Sequence, residues 1–161
     1  VTAEDDIRYM RLAIAASREA VRDGNAPYGA VLVAATGELL QVSKNNQVTS
    51  GDSTGHAEVV LIREAAAKHG PGKLVGATVY ASGEPCAMCA GALFWAQVGR
   101  LVYGMKTETI MRIGGEPTLA MSSARVLATG SRIVKVDGPL LEDEAAAVLA
   151  LARRGAPPIA G

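Results

Sequence analysis

Hydrophobic positions change period several times along the chain, and each change marks an element. Between Glu4 and Arg22, the residues Ile7, Met10, Leu12, Ile14, Ala15 and Val21 recur near a helical period among arginines and acids. That pattern predicts an amphipathic helix, with Gly24 of Asp23-Gly24-Asn25 as its stop. Tyr28 to Ala35 and Leu39 to Lys44 read as strands joined by a Thr36-Gly37-Glu38 hairpin turn. A polar loop, Asn45 to Gly55, leads into a second helical run of Val59, Val60, Ile62, Ala65 and Ala66 that opens at His56. Ser53 and Thr54 are its candidate caps, and His69-Gly70-Pro71-Gly72 breaks it.

Ala77 to Ala81 predicts a short buried strand, and Ser82 to Glu84 a loop. Ala87 to Val98 is apolar nearly all round, which predicts a helix buried on several sides, partly against another subunit, and stopped by Gly99. Arg100 to Gly104 reads as a strand. Beyond it the pattern predicts a short helix over Met105 to Arg112, broken at Gly114-Gly115, and another over Thr118 to Thr129. A strand at Arg132 to Val136 and a final helix at Leu140 to Arg154 follow. Gly155 to Gly161 is expected to be a mobile or docked tail. This order predicts an α/β fold of three layers, α/β/α, with a mixed sheet of about five strands and residues 1–161 in one domain.

Composition narrows the function. A chain of 161 residues with 49% hydrophobic residues can bury a real core. No apolar run reaches membrane-spanning length. Val1 to Asp6 lacks the features of a signal peptide, so a cytoplasmic location is expected. The formal net charge is zero, whereas proteins that grip nucleic-acid backbones usually carry a basic excess. A small-molecule substrate fits that charge better than RNA, and Arg153-Arg154 fits a charged helix end.

The candidate chemistry lies between Thr54 and Cys89. The chain has two cysteines and two histidines; both cysteines and one histidine fall in His56-Ala57-Glu58 and Pro85-Cys86-Ala87-Met88-Cys89. One imidazole and two thiolates supply three zinc ligands, and a site with three protein ligands keeps a position open for water. Zinc lowers the pKa of such a water to near neutrality, and Glu58, beside the histidine, suits a proton shuttle. Cys86 and Cys89 share a face on a helix that starts after Pro85, where thiolates are favoured. His69 lies about 20 Å along the helix from His56, too far for a fourth ligand unless the helix bends. Each motif has a bland counterpart: a structural histidine, a redox or zinc-clip cysteine pair, a solvated glutamate. His-x-Glu followed by Pro-Cys-x-x-Cys is, as a set, the signature of zinc nucleobase deaminases.

The chain resembles the cytidine deaminase-like superfamily, and within it the bacterial guanine deaminases. The resemblance rests on Asn25-Ala26-Pro27-Tyr28-Gly29-Ala30-Val31, Asn45-Asn46, His56-Ala57-Glu58 and the segment Ser82 to Ala96, and it covers roughly residues 5 to 104. It implies one zinc per subunit on His56, Cys86 and Cys89, with Glu58 as the catalytic acid and base. It further implies substrate contacts from Asn45, Tyr28, the backbone N–H of Ala57 and Trp95, and a homodimer. A turn asparagine, a strand tyrosine and a packing tryptophan are the alternatives for the three side chains. Guanine deaminases carry an acidic residue after the Arg100 to Gly104 strand; here Glu116 falls near that place and Glu108 is the alternative. The implied reaction is hydrolytic deamination of a free amino-substituted base, guanine first. A triazine such as ammeline, a cytosine-like or isocytosine ring, a damaged base, or adenosine in tRNA are alternatives, and a non-catalytic zinc-clip protein is the contrasting class.

Overall fold

In the computed structural model the described residues are 1–115 and 118–155. Glu116 and the tail residues 156–161 therefore lie outside the described residues. Five strands form one sheet in the order β2-β1-β3-β4-β5: β1 Gly29–Val33, β2 Leu39–Lys44, β3 Thr78–Gly83, β4 Arg100–Met105 and β5 Lys135–Asp137. β1 pairs antiparallel with β2 and β3, while β3–β4 and β4–β5 are parallel. The sheet is mixed, as the element order predicts.

The alternating side chains of the central strands build two separate cores. Ala30, Leu32, Val79, Ala81 and Leu101 face α3 (Ala57–His69), α4 (Ala87–Trp95) and α6 (Ser123–Ala128). Val31, Val33, Tyr80, Val102 and Met105 face α1 (Ala3–Arg22), α5 (Thr107–Gly114) and α7 (Glu142–Gly155). Strands buried on both faces read as continuous apolar runs, and Gly29-Ala30-Val31-Leu32-Val33 is one. The fold is the three-layer α/β/α architecture. No described helix is long and apolar enough to cross a membrane.

The ends of the elements have local causes. A capping box between Thr2 and Asp5 starts α1. Gly24, at φ 86°, ends it, with Asn25 N–H bonded to Ala20 O and Gly24 N–H to Val21 O. The segment expected as a polar loop contains a short helix, α2 (Gln47–Ser50). Asn25 Oδ1 accepts from Val48 N–H at 3.0 Å and Thr49 N–H at 3.1 Å, capping α2 from a distant part of the chain. α4 stops at Trp95, before the expected end at Val98. Gln97, at φ 63°, closes it with Val98 N–H on Leu93 O and Gln97 N–H on Phe94 O.

β5 spans Lys135–Asp137 instead of the expected Arg132 to Val136. The Arg132 guanidinium donates to the carbonyls of Val98 and Phe94 at 2.7 and 2.6 Å. Residues 118–122 are not helical either, because Ser122 caps α6 by accepting from Arg125 N–H at 3.3 Å.

Candidate metal centre and active site

β3 ends at Gly83, and Pro85 follows, so α4 starts directly beyond the end of the sheet. α3 opens beside it. Both helix N-termini carry ligands: His56 is the N-cap residue of α3, Cys86 the N-cap residue of α4, and Cys89 lies in the first turn of α4. Ser53 and Thr54, the expected caps, do not serve α3. Thr54 instead donates from its N–H and hydroxyl to Asp52 Oδ1, at 2.9 and 2.7 Å. The N-cap position is given to the imidazole.

His56 Nδ1 lies 3.6 Å from Cys86 Sγ and 3.4 Å from Cys89 Sγ, and the two sulfurs are 3.8 Å apart. A tetrahedral zinc with bonds of about 2.3 Å to sulfur and 2.0–2.1 Å to nitrogen needs separations of about 3.8 Å and 3.6 Å. The donor triangle therefore already has the dimensions of a zinc site. It is the one cluster of this kind among the described residues. His69 stays out of it: its Nε2 lies 2.9 Å from Leu40 O, tying the end of α3 to β2.

The electrostatics favour a cation at the centre of the triangle. The hydrogen bond shared with Cys89, aided by His56, outweighs burial and pushes the Cys86 thiol down to about 4. The same bond and burial push Cys89 well above the ordinary thiol range. The bond to Cys86 raises His56. His56, Cys86 and Cys89 would hold a zinc ion here, which would take the place of the shared proton and keep both sulfurs as thiolates.

Glu58 sits in the first turn of α3 and is 4% exposed. Burial pushes its carboxyl up from the ordinary carboxylate range, opposed by a hydrogen bond involving Cys89 and by the charge of His56. Burial thus favours the protonated form of this acid, which suits a group that accepts and returns a proton.

The expected substrate-facing residues are distributed unevenly. Ala57 is buried as the first residue of α3, where a backbone N–H has no partner within the helix. Asn45 is buried, and its N–H donates to Tyr28 O at 3.0 Å, which holds these two candidates together. The Asn45 amide is already engaged: Oδ1 accepts from Gln47 N–H at 3.1 Å, and Nδ2 donates to Gln47 Oε1 at 2.8 Å. Gln47 Nε2 in turn donates to Ser53 O at 3.0 Å. The half-buried Tyr28 ring lies over Gly83, where an added Cβ would come within 2.8 Å of it. Trp95 stands apart, 81% exposed at the far end of α4 with its ring edge-on to Phe94. Glu108 is exposed on α5.

Three supporting residues were given no role by the motifs: Asn25, Gln47 and Glu84. Each works through backbone groups or a neighbouring amide. Asn25 and Glu84 stand within the motif segments, and Gln47 leaves no trace in the sequence.

Residues 3–105 match the model of the cytidine and deoxycytidylate deaminase zinc-binding region. A probable cytosine deaminase of Schizosaccharomyces pombe is 37% identical over 150 residues, covering 89% of this chain and 89% of that protein. A tRNA-specific adenosine deaminase of Bacillus subtilis is 41% identical over 99 residues, covering 62% of this chain and 61% of that protein. A solved guanine deaminase from Nitrosomonas europaea superposes with a TM-score of 0.74 at 24% identity, covering 91% of this chain and 83% of that one, a likeness of fold. The chain belongs to the cytidine and deoxycytidylate deaminase family. His56, Cys86 and Cys89 form the zinc site typical of that family, and the protein is a zinc-dependent aminohydrolase.

Proposed function

From that membership we propose that the chain, as a single domain, hydrolytically deaminates a free amino-substituted nucleobase, with guanine as the first candidate. The observation that carries the reading is the three-ligand triangle of His56, Cys86 and Cys89 with the buried carboxyl of Glu58 beside it. Bound zinc supplies an activated water there. Glu58 accepts a proton, returns it to the ring nitrogen next to the amine-bearing carbon, and then protonates the departing amine. Ammonia leaves and a carbonyl remains. Tyr28 receives the base face, the second N–H and lone pair that Gln47 leaves on the Asn45 amide receive its edge, and the N–H of Ala57 supplies a further donor at the mouth of α3.

A cytosine-like ring is the second reading. It is favoured by the probable cytosine deaminase of S. pombe, whose similarity spans nearly the whole chain. The zero net charge supports a small base over tRNA. Ammonia release by the zinc-loaded protein from guanine, cytosine, isocytosine, adenine and ammeline tests the reading. Turnover of at least one free base is expected; activity confined to tRNA would overturn it.

The protein also acts as a homodimer in this reading. Support comes from the exposed apolar surface of Trp95 at the end of α4 and of Ile133, 91% exposed, in the segment that follows α6. Sedimentation at micromolar concentration should give twice the 16.5 kDa chain mass, and a species at 16.5 kDa would refute the assembly.

A further inference from the structure

The family match ends at residue 105, yet the last third of the chain is fastened to the metal loop through one buried side chain. Glu84 is 9% exposed and lies two residues before Cys86. Its Oε1 accepts from the N–H of Thr107 at 2.8 Å and from the Thr107 hydroxyl at 2.9 Å. Its Oε2 accepts from the N–H of Ser123 at 2.9 Å. Thr107 opens α5 and Ser123 opens α6, so the carboxylate takes up one otherwise unpartnered first-turn N–H from each helix. Ser123 Oγ then donates to the carbonyl of Pro85 at 2.6 Å, and Glu84 N–H donates to Met105 O at 2.7 Å.

These bonds converge on Glu84-Pro85, the two residues that deliver the chain to Cys86. A carboxylate presents acceptors in both directions and a donor in neither. An amide here would aim its NH2 group at one of the two backbone N–H groups.

We propose that Glu84 is a positioning residue of the metal centre: it sets the place of Cys86 by tying the residues before it to α5 and α6. The role rests on the zinc site and is independent of which base is deaminated. Partners outside the ligand set commonly govern metal affinity by roughly 10–100-fold, and Glu84 acts in that way through the backbone.

The test uses the full chain, zinc-loaded, in the variant Glu84→Gln. Competition with a chromophoric chelator should show zinc affinity reduced by roughly 10–100-fold. The visible bands of the cobalt-substituted variant should shift, because they report the angles among sulfur and nitrogen ligands. A folded Glu84→Gln with wild-type zinc affinity and an unchanged cobalt spectrum, whatever its melting temperature, overturns the proposal. Should Glu84→Gln fail to fold, Thr107→Val decides. It keeps the carboxylate and both backbone N–H bonds and removes the hydroxyl that donates to Glu84 Oε1. A several-fold loss of zinc affinity is expected there, and wild-type affinity overturns the proposal. Absence of turnover by the zinc-loaded wild-type chain on every base would count against the assigned reaction instead and leave this test standing.

Discussion

Two polar clusters occupy opposite ends of the parallel pair β3 and β4. At the entry end, where Thr78 aligns with Arg100, the Arg100 guanidinium holds Asp6 at 2.8 and 2.9 Å and Asp137 at 2.8 Å, and Tyr80 donates to Asp6 at 2.6 Å. At the exit end, where Gly83 aligns with Met105, the chain runs through Glu84 into the cysteines. The entry cluster is complete in itself: Arg100 meets both carboxylates, Lys135 lies 3.4 Å from Asp137, and the Arg100 bond holds Asp6 below the ordinary carboxylate range. The exit cluster gathers two sulfurs and an imidazole around a place for a cation and leaves Glu58 raised. Groups that only stabilise are matched within the protein. Groups that do chemistry are held short of a match, to be completed by metal and substrate.

Substitutions at the two ends should therefore act on different quantities. The largest effect belongs to Glu58→Ala: turnover should fall by on the order of 10²–10⁴-fold with one zinc per chain retained by elemental analysis. Near-normal turnover would refute the proton-shuttle role. Next comes removal of the metal by a strong chelator. Relative to zinc-saturated protein at about 1,000 times the dissociation constant, stability should drop by about 4 kcal/mol, read as a lowered melting temperature that zinc restores. An unmoved melting temperature would show that the triangle is not a folding-linked metal site.

At the entry end, Arg100→Ala takes the guanidinium from two carboxylates that are 18% and 35% exposed, leaving Tyr80 on Asp6 and Lys135 near Asp137. Breaking a fully buried pair costs about 3–5 kcal/mol; with water still reaching these groups, about 2–3 kcal/mol is expected. Urea denaturation measures that loss, and zinc affinity should not change. A loss of zinc affinity would show the two ends to be coupled.

The smallest effect is the pH dependence set by Asp6. Its folded carboxyl titrates below its unfolded value of 3.8, so the unfolded chain binds the proton first as pH falls. The stabilisation is complete above about pH 4 and is lost as pH drops through the folded value. Melting curves of the Asp6→Asn variant should lack that part of the acid slope. If wild type and variant keep the same slope, the charge of Asp6 is not what Arg100 stabilises.

The metal ligands and the strands were legible because each follows from residue type and spacing. Zinc needs thiolate and imidazole, and a sheet buried on both faces needs runs such as Ala30 to Val33. What escaped depends on partners that carry no local mark. Glu84 answers to the backbone N–H groups of Thr107 and Ser123, which any residues could supply. α2 exists inside a polar stretch because Asn25, more than twenty residues earlier, caps it. α4 ends early because Gln97 takes a left-handed conformation and Arg132 arrives from beyond α6 to meet its carbonyls. The tryptophan of the motif region is identifiable in sequence, but its exposure depends on where α4 ends.

That tryptophan has an optical consequence. Trp95 is the only indole in the chain, and it rides on the helix whose other end holds both sulfurs, six residues or about 9 Å along the axis from Cys89. Intrinsic emission excited at the indole edge therefore reports on this one helix. A coloured ion in the sulfur triangle would draw off its excitation and dim it. Anything that covers the exposed ring would shift its emission to shorter wavelength. Metal loading and burial of that face can thus be followed at once in an unlabelled protein, one as intensity and the other as colour.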